Sequence, residues 1–371
     1  MKLRLFYITA GMGHKVAAEV IADVVRQTGM ECESIDLLGF ANPLVRWMYS
    51  RFYEIMESHS HVACRLFYRL ASLIGSNRKV FSPMIRGIVY TMRRPMKVIR
   101  DCDPDLAVCT HFLPILMLSF MKKKGRFHGK VVAVITDYTL HSLWVDEVVD
   151  LYIAPNRTVA DALVESGISD SRVVASGIPV APQFSEVVGK DKRLLRKELS
   201  IPQDDFVVLF VASGLPTRRS LKIVSTIMQI DFPMTFVVVA GRGNSMDRHL
   251  EKVKASNCVN LVKHGFVSDI HRLLRAADLI VTKPGGLTVS ESLAVGLPLV
   301  MIYPVPEQEE ENMRYVVSEG AGVYVEDLNE IPVIIRRFRE DPELYESYAT
   351  NATRIGKPFA VFEIVNNLLE M

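Results

Sequence analysis

The chain has 371 residues, 49% apolar and 23% charged, which excludes a disordered protein and suits two packed domains of ordinary size. Its formal charge is only +2, and its 5 cysteines are scattered without C-x-x-C or His/Cys ligand spacing. Neither a disulfide framework nor a structural zinc is expected, which fits a cytoplasmic protein. The chain opens directly on an apolar strand rather than a signal peptide, and no apolar run reaches the roughly 20 residues of a spanning helix.

The first predicted strand, residues 3–9, meets Gly11-Met12-Gly13-His14, and a helical pattern follows. Strand, glycines, helix is how many nucleotide sites begin. The dinucleotide pattern G-x-G-x-x-G/A requires a small residue at position 16, where this chain carries Val16. Asp36, ending the second predicted strand (31–37), does stand where a ribose-binding acid belongs, but Val16 argues against NAD. His14 opens the helix at the carboxyl end of the strand, where open α/β sheets bind ligands. It reads as a catalytic candidate or as a capping histidine, and the local sequence does not choose.

A basic block follows. Between Leu44 and Arg100 stand eleven Lys/Arg against Glu54 and Glu57, a local charge of +9 on a chain that is otherwise −7. Trp47, Tyr49, Phe52, Tyr53, Phe67 and Tyr68 are interleaved with the cations. Helices carrying aromatics and arginines together suit a membrane interface, with rings at headgroup depth and cations toward anionic lipid. The alternative is a helical insert whose arginines are simply solvated. No nucleic-acid recognition motif accompanies the charge, so nucleic acid is not an expected partner.

The apolar stretch Leu106 to Met121, interrupted by His111 and Pro114, reads as a strand (105–110) followed by a helix beginning near Pro114. Asp101-Cys102-Asp103 and Asp103-Pro104-Asp105 have the D-x-D spacing of a metal motif, but they precede their strand and read as a turn. Further strands are predicted at 130–136, 150–154 and 172–175. The periodicity then fades after Ile178-Pro179-Val180 until a polar helix over 190–199, placing a boundary between domains 1–183 and 184–355. A second alternation carries strands near 206–212, 235–240, 259–263, 278–282, 298–303 and 321–325. Helices are predicted near 217–229, 245–256, 268–276, 287–295 and 309–319. Strands such as FVVLFVA and TFVVVAG are apolar throughout, as parallel strands covered on both faces must be. Two doubly wound α/β domains are the expected fold. The amphipathic tail 356–371 either closes the second domain or crosses back to the first.

Chemistry concentrates after the strand at 278–282. Lys283-Pro284-Gly285-Gly286 leads into a helix whose free N–H groups and positive dipole end suit a phosphate. This is not a Walker loop, since its spacing and Lys-Ser/Thr pair are missing. Glu291, a turn and a half along, has the reach to accept hydrogen bonds from vicinal hydroxyls, unless it is an ordinary helix-surface carboxylate. In YPVPEQEEENMRY, Pro304 and Pro306 stiffen a loop that presents Gln308, Glu309 and Asn312. Amides and carboxylates together read several sugar hydroxyls; the competing reading is an acidic turn complementing the helix dipole. A diphosphate site beside a hydroxyl-reading site favours a nucleotide-sugar.

The run TKPGGLTVSESLAVGLPLVMIYPVPEQEEENMRYVVSEGAGV resembles the donor-site signature of family-28 glycosyltransferases. Within them it most resembles bacterial diacylglycerol glucosyltransferases and plant monogalactosyldiacylglycerol synthases. More distantly it resembles the lipid-intermediate N-acetylglucosaminyltransferase of peptidoglycan synthesis. GMGHKVAA is similar to the acceptor-side glycine loop, and TDYTLHSLWVDEVVD to a T-D-x-x-x-H-x-x-W segment. SGIPVAPQF resembles the interdomain region and KHGFVSDIHRLLRAAD the uridine-binding stretch. The resemblance implies the GT-B fold, two Rossmann-like domains facing across a cleft.

By the same resemblance, Lys283, Gly285, Gly286 and Thr288 would hold the diphosphate and Glu291 the ribose. Gln308, Glu309 and Asn312 would hold the sugar, and Phe266 and Val267 would present backbone groups to uracil. Gly214 and Gly241 would approach the donor, and Gly11 and Gly13 would let substrates reach the backbone. The implied reaction is inverting transfer of a hexose, glucose in preference to galactose, from a UDP-sugar to diacylglycerol. The product would be a β-glycolipid, open to further sugars. His14 and Asp137 are the candidate bases, with His141 a weaker one, and either of the first two equally serves to orient the other. The helix dipole serves the leaving group, so neither cofactor nor metal is expected. The resemblance places the protein on the inner face of the cell membrane as a peripheral enzyme.

The alternatives are a UDP-galactose-dependent monogalactosyldiacylglycerol synthase, a UDP-GlcNAc transferase or epimerase of related fold, and a non-catalytic UDP-sugar sensor. Three positions depart from the family pattern. Glu307 replaces the glycine of P-G-Q-E, and ASGLPTRRS keeps only Gly214 where relatives are glycine-rich, with Arg218 and Arg219 as possible electrostatic substitutes. Asp146 stands where several relatives carry histidine.

Overall fold

The computed structural model describes residues 1–9, 11–57, 87, 90–241, 244–251, 253 and 256–371. They form two compact units. One comprises Met1–Pro182, Val305–Glu311 and Phe359–Met371; the other comprises Gln183–Pro304 and Asn312–Pro358. Among the described residues no helix is long and apolar enough to cross a membrane.

The first unit is built on six strands, β1 (Leu3–Tyr7), β2 (Cys32–Asp36), β3 (Leu106–Cys109), β4 (Lys130–Val134), β5 (Leu151–Ile153) and β6 (Val173–Val174). They lie in the order β2-β1-β3-β4-β5-β6, every pair parallel. The chain leaves β1 toward β2 and returns to β3 on the other side, so the carboxyl ends of β1 and β3 flank a topological switch point. β1 and β3 are buried along their whole length, which explains why their sequences do not alternate.

The helix Gly13–Gln27 repeats apolar residues at helical spacing and buries Ala17, Ala18, Ile21, Ala22, Val24 and Val25. The helix Ala360–Leu369 packs against it and contributes Val361, Ile364, Val365 and Leu368 to the same core. Each such side chain is worth about 1.5–3 kcal/mol when buried. The aspartate run ahead of β3 is a turn. Asp103 adopts φ 40° to end the helix Arg93–Cys102, and Asp105 accepts the Lys2 N–H at 2.6 Å.

The second unit repeats the plan with β7 (Val207–Val211), β8 (Met234–Val239), β9 (Val259–His264), β10 (Leu279–Thr282), β11 (Leu299–Met301) and β12 (Gly322–Tyr324). Their order is β12-β11-β10-β7-β8-β9, again all parallel, which puts the switch point between β7 and β10. The polar helix expected over 190–199 is Lys192–Glu198. It docks through Arg196, whose guanidinium is buried and donates to Asp278 at 2.6 Å and to the Ala276 carbonyl at 2.8 Å. A charge so placed is tolerable only because it is paired and hydrogen-bonded.

A short helix, Pro182–Val187, lies where no periodicity was visible, since Phe184 and Val187 are its only apolar anchors. The helix expected over 245–256 is described as Asn244–Leu250. Much of the basic block, including Phe67 and Tyr68, lies outside the described residues, as do the side chains of Phe52 and Tyr53.

Candidate active site

In the first unit the site forms at the β1/β3 switch point. Gly11 takes φ 75°, a left-handed turn that a side chain would strain, and delivers the chain to the helix at Gly13. A Cβ built on Gly13 would meet nothing within 4 Å, so the helix entrance is open rather than packed. His14 Nδ1 lies 2.7 Å from the Thr110 carbonyl oxygen after β3 and 2.9 Å from Thr136 Oγ1 after β4. A carbonyl only accepts, so Nδ1 carries the hydrogen and the lone pair resides on Nε2. Thr110 Oγ1 donates back to the His14 carbonyl at 2.8 Å, closing a reciprocal pair between the two loops. Loss of solvation lowers the His14 pKa to about 4, against a smaller opposing effect of the Thr110 carbonyl. At neutral pH the ring is therefore a neutral imidazole with one acceptor nitrogen.

Two further histidines surround it. His111 caps the helix Phe112–Lys123: its Nδ1 accepts the Leu113 N–H at 3.0 Å. Its hydrogen consequently sits on Nε2, 3.2 Å from the Tyr49 hydroxyl. The His14 and His111 rings meet edge to face with centroids 4.7 Å apart. Burial pushes His111 well below its ordinary pKa, reinforced by its histidine neighbours. His141 caps the single turn Ser142–Trp144, accepting the Leu143 N–H, and burial lowers it to about 4.

Asp137 is buried at the end of the β4 loop and accepts a hydrogen bond from the Gln308 amide. The structure thus joins a candidate base to a residue that the resemblance gives to the donor sugar. Asp146 is a structural carboxylate, buried and accepting from Ser119 Oγ and the Val148 N–H, both at 3.2 Å. Asp36, the ribose acid of the NAD alternative, bonds Thr9 Oγ1 at 2.6 Å and the Leu38 N–H at 3.0 Å instead.

In the second unit the loops after β7 and β10 meet at their own switch point. Gly285 caps the helix Gly286–Ala294 from an extended conformation, with no side chain closing the first turn. The N-terminal N–H groups and the dipole end remain available to an anion. The Lys283 side chain passes over Gly214: a Cβ at that glycine, whose φ is 73°, would fall 3.2 Å from Cε and 3.3 Å from Nζ. That glycine leaves room for the Lys283 ammonium group against the loop after β7. Thr288 and Glu291 follow on that helix, both half-buried. Burial raises the Glu291 pKa to about 8, so the carboxyl is held largely neutral at pH 7.

Phe266 and Val267 lie just beyond β9, with Phe266 58% exposed, and Gly241 turns at φ 80° beyond β8. Arg219 stacks over the Tyr303 ring, 4.3 Å from its centroid, so it braces that loop.

One assignment changes. Asn312 is fully buried and donates from Nδ2 to the Pro284 carbonyl at 3.1 Å. It fixes the loop ahead of the helix Gly286–Ala294 rather than reading a sugar hydroxyl. Glu309 turns one carboxylate oxygen onto its own loop, accepting the Val305 N–H at 2.8 Å. Thr110 and Thr136 escaped sequence reasoning, Tyr49 was read as an interfacial aromatic but packs inward on the core, and His111 was noticed only as a break in an apolar run. The available signal was the polar pairs Thr110-His111 and Thr136-Asp137 at the ends of otherwise apolar strands.

Residues 14–180 match the monogalactosyldiacylglycerol (MGDG) synthase family model and residues 191–355 the glycosyl transferases group 1 model. The processive diacylglycerol beta-glucosyltransferase of Bacillus pumilus is 27% identical over 373 residues, covering 100% of this chain and 94% of its own. The crystal structure of Acinetobacter baumannii MurG superposes with a TM-score of 0.62 at 14% identity, covering 100% and 99% of the two chains. The chain has the GT-B glycosyltransferase fold. The fold alone does not specify the reaction of this glycosyltransferase. The UDP-GlcNAc 2-epimerase of Neisseria meningitidis, bound to UDP-GlcNAc, matches it with a TM-score of 0.60 at 15% identity and full coverage of both chains.

Proposed function

We propose that this glycosyltransferase moves glucose from UDP-glucose to the free hydroxyl of diacylglycerol with inversion, giving a β-glucolipid that can accept further glucose. The observation that carries this reading is the end-to-end likeness to a processive diacylglycerol beta-glucosyltransferase. His14 is the base. Its Nδ1 hydrogen is committed to Thr110, and Nε2 takes the proton from the acceptor hydroxyl as the oxygen attacks C1 of the sugar. The bond from C1 to the diphosphate breaks, and UDP leaves with the electron pair. The helix entrance at Gly285–Gly286 and the Lys283 ammonium stabilise its charge. Glu291 accepts the ribose hydroxyls, and Gln308 holds Asp137 beside the sugar rather than leaving it to act as base.

The acceptor reaches the enzyme from a membrane. On the helix Pro43–Glu57, Leu44, Trp47 and Met48 are 63%, 63% and 56% exposed at helical spacing, while Val45 and Tyr49 pack inward on the core. Arg46, Arg94 and Lys97 line an adjacent groove of about 510 Å³, where Asp101 is the single carboxylate and pairs with Arg100. Apolar side chains ringed by cations fit an anionic bilayer surface, so the enzyme acts as a peripheral protein there.

Incubation with labelled UDP-glucose or UDP-galactose and diacylglycerol, followed by lipid analysis, tests the reading. Glucose should enter a monoglucosyl and then a diglucosyl lipid. Absence of labelled lipid from either donor overturns it. The match of residues 14–180 to monogalactosyldiacylglycerol synthase favours a second reading with UDP-galactose as donor, and preferential galactose incorporation would select it.

A further inference from the structure

The helix with the exposed apolar face carries the Tyr49 hydroxyl on its inward side, and that hydroxyl is tied to the histidine cluster. His111 is held at both nitrogens. The Leu113 N–H occupies Nδ1 and the Tyr49 oxygen accepts from Nε2, so the ring has one tautomer and one orientation. With that orientation fixed, its contact with His14, 4.7 Å between centroids, closes a side of the His14 ring against water. The other groups facing His14 are the Thr110 carbonyl and the Thr136 hydroxyl, with Asp137 next along the chain. Desolvation is the main cause of the low His14 pKa, and no charged neighbour contributes to it.

The geometry points to Tyr49 and His111 as positioning residues that hold the His14 imidazole and connect the lipid-facing helix to the base. This rests on the reading of His14 as base. In this role they act through His14 rather than on a substrate. Their effect is to keep the imidazole dry and its Nε2 fixed in direction. His111 remains neutral in that role because protonating Nδ1 would break the helix cap.

The test is the pH dependence of kcat/KM with liposomal diacylglycerol for three variants of the full chain. Tyr49→Phe removes the Nε2–H acceptor. His111→Asn keeps a capping oxygen for the Leu113 N–H but removes the ring. Val45→Ala loosens the same helix through apolar contact alone. The wild-type protein should show a flat profile from pH 8 to about 5.5, because His14 titrates well below that window. Tyr49→Phe and His111→Asn should let water reach His14, moving the acid limb upward by about one pH unit and lowering kcat roughly 10-fold. Their donor KM and vesicle binding should be unchanged. Val45→Ala should leave the limb in place.

A wild-type limb in Tyr49→Phe, or an equal shift in Val45→Ala, overturns the proposal. His14→Ala separates the two levels. If that variant keeps wild-type turnover the base assignment itself fails. If it is inactive while Tyr49→Phe is unshifted, only the positioning role fails.

Discussion

The Thr110 carbonyl oxygen stands 2.7 Å from His14 Nδ1, and this contact decides which nitrogen of the ring keeps its lone pair. The tie crosses the switch point between two strands far apart in sequence, so the ring is oriented by the sheet rather than by its own loop. His14→Ala should lower turnover by roughly 10²- to 10⁴-fold, the usual span for a lost general base. Donor KM should stay near the wild-type value, because the donor groups belong to other loops. Steady-state kinetics with varied UDP-glucose measures both, and wild-type turnover in the variant removes His14 from the mechanism.

The two units should respond to pH in opposite senses. His14 and His141 have folded pKa values of about 4 against 6.5 for free histidine. Between those values the unfolded chain binds more protons, so the first unit loses stability as pH falls from 6.5 toward 4. Each histidine contributes at most about 1.4 kcal/mol per pH unit, less where solvent reaches the ring. Glu291 has the reverse sign. Its pKa is raised to about 8 from 4.5, so the folded second unit keeps a proton that the unfolded chain releases. Stability of that unit falls as pH rises from 4.5 to 8. Hydrogen exchange corrected for intrinsic rates, compared at pH 5.5 and 7.5, should show protection shifting from the second unit to the first as pH rises. In Glu291→Gln the second-unit loss should disappear, leaving only the opposite trend from His271, whose pKa burial lowers; parallel changes in both units of the wild-type protein would contradict the assignment.

The doubly wound fold was readable because strands such as Val207–Val211 are apolar at every position, a pattern that only a sheet covered on both faces explains. The helix Gly286–Ala294 was readable for a related reason: glycines ending an apolar strand mark a helix entrance wherever they occur. Local sequence could not reveal that Asn312 reaches back to the Pro284 carbonyl, or that Tyr49 meets His111. Those contacts join residues 28 and 62 positions apart and depend on how helices cross the sheet. The proposed choice of His14 over Asp137 has the same origin. It turns on hydrogen bonds to Thr110 and Gln308, neither of which has a local motif.

Glu307 occupies a glycine's conformation. Its φ is 69°, and the nearby Tyr303 is also left-handed at φ 49°. For a residue with a Cβ the left-handed region costs roughly 1–2 kcal/mol, part of which glycine returns through its larger unfolded-state entropy. Glu307→Gly should therefore stabilise the protein by about 0.5–1 kcal/mol, raising Tm by roughly 1–4 °C. Glu307→Ala keeps the strain and should give no such gain. Calorimetry on the two variants decides this, and an alanine variant at least as stable as the glycine variant would refute it.

The surface proposed to face lipid combines two forces with different signatures. Leu44, Trp47 and Met48 project from one face of the helix Pro43–Glu57, so their contribution should scale with apolar area and ignore salt. Arg46, Arg94 and Lys97 lie in the adjoining groove, and each cation near an anionic bilayer is worth about 1 kcal/mol, or roughly 5-fold in binding. Replacing Leu44 and Trp47 by alanine should weaken binding to neutral and anionic vesicles alike. Replacing the three cations by glutamine should spare neutral vesicles, lower binding to phosphatidylglycerol vesicles by about 100-fold at low ionic strength, and flatten the salt dependence. The substituted apolar residues and Arg46 and Arg94 are exposed, so circular dichroism and Tm should match the wild-type protein. Vesicle pelleting across a salt series reads both terms. A triple glutamine variant that binds anionic vesicles like the wild type at low salt would show that the groove plays no part in docking.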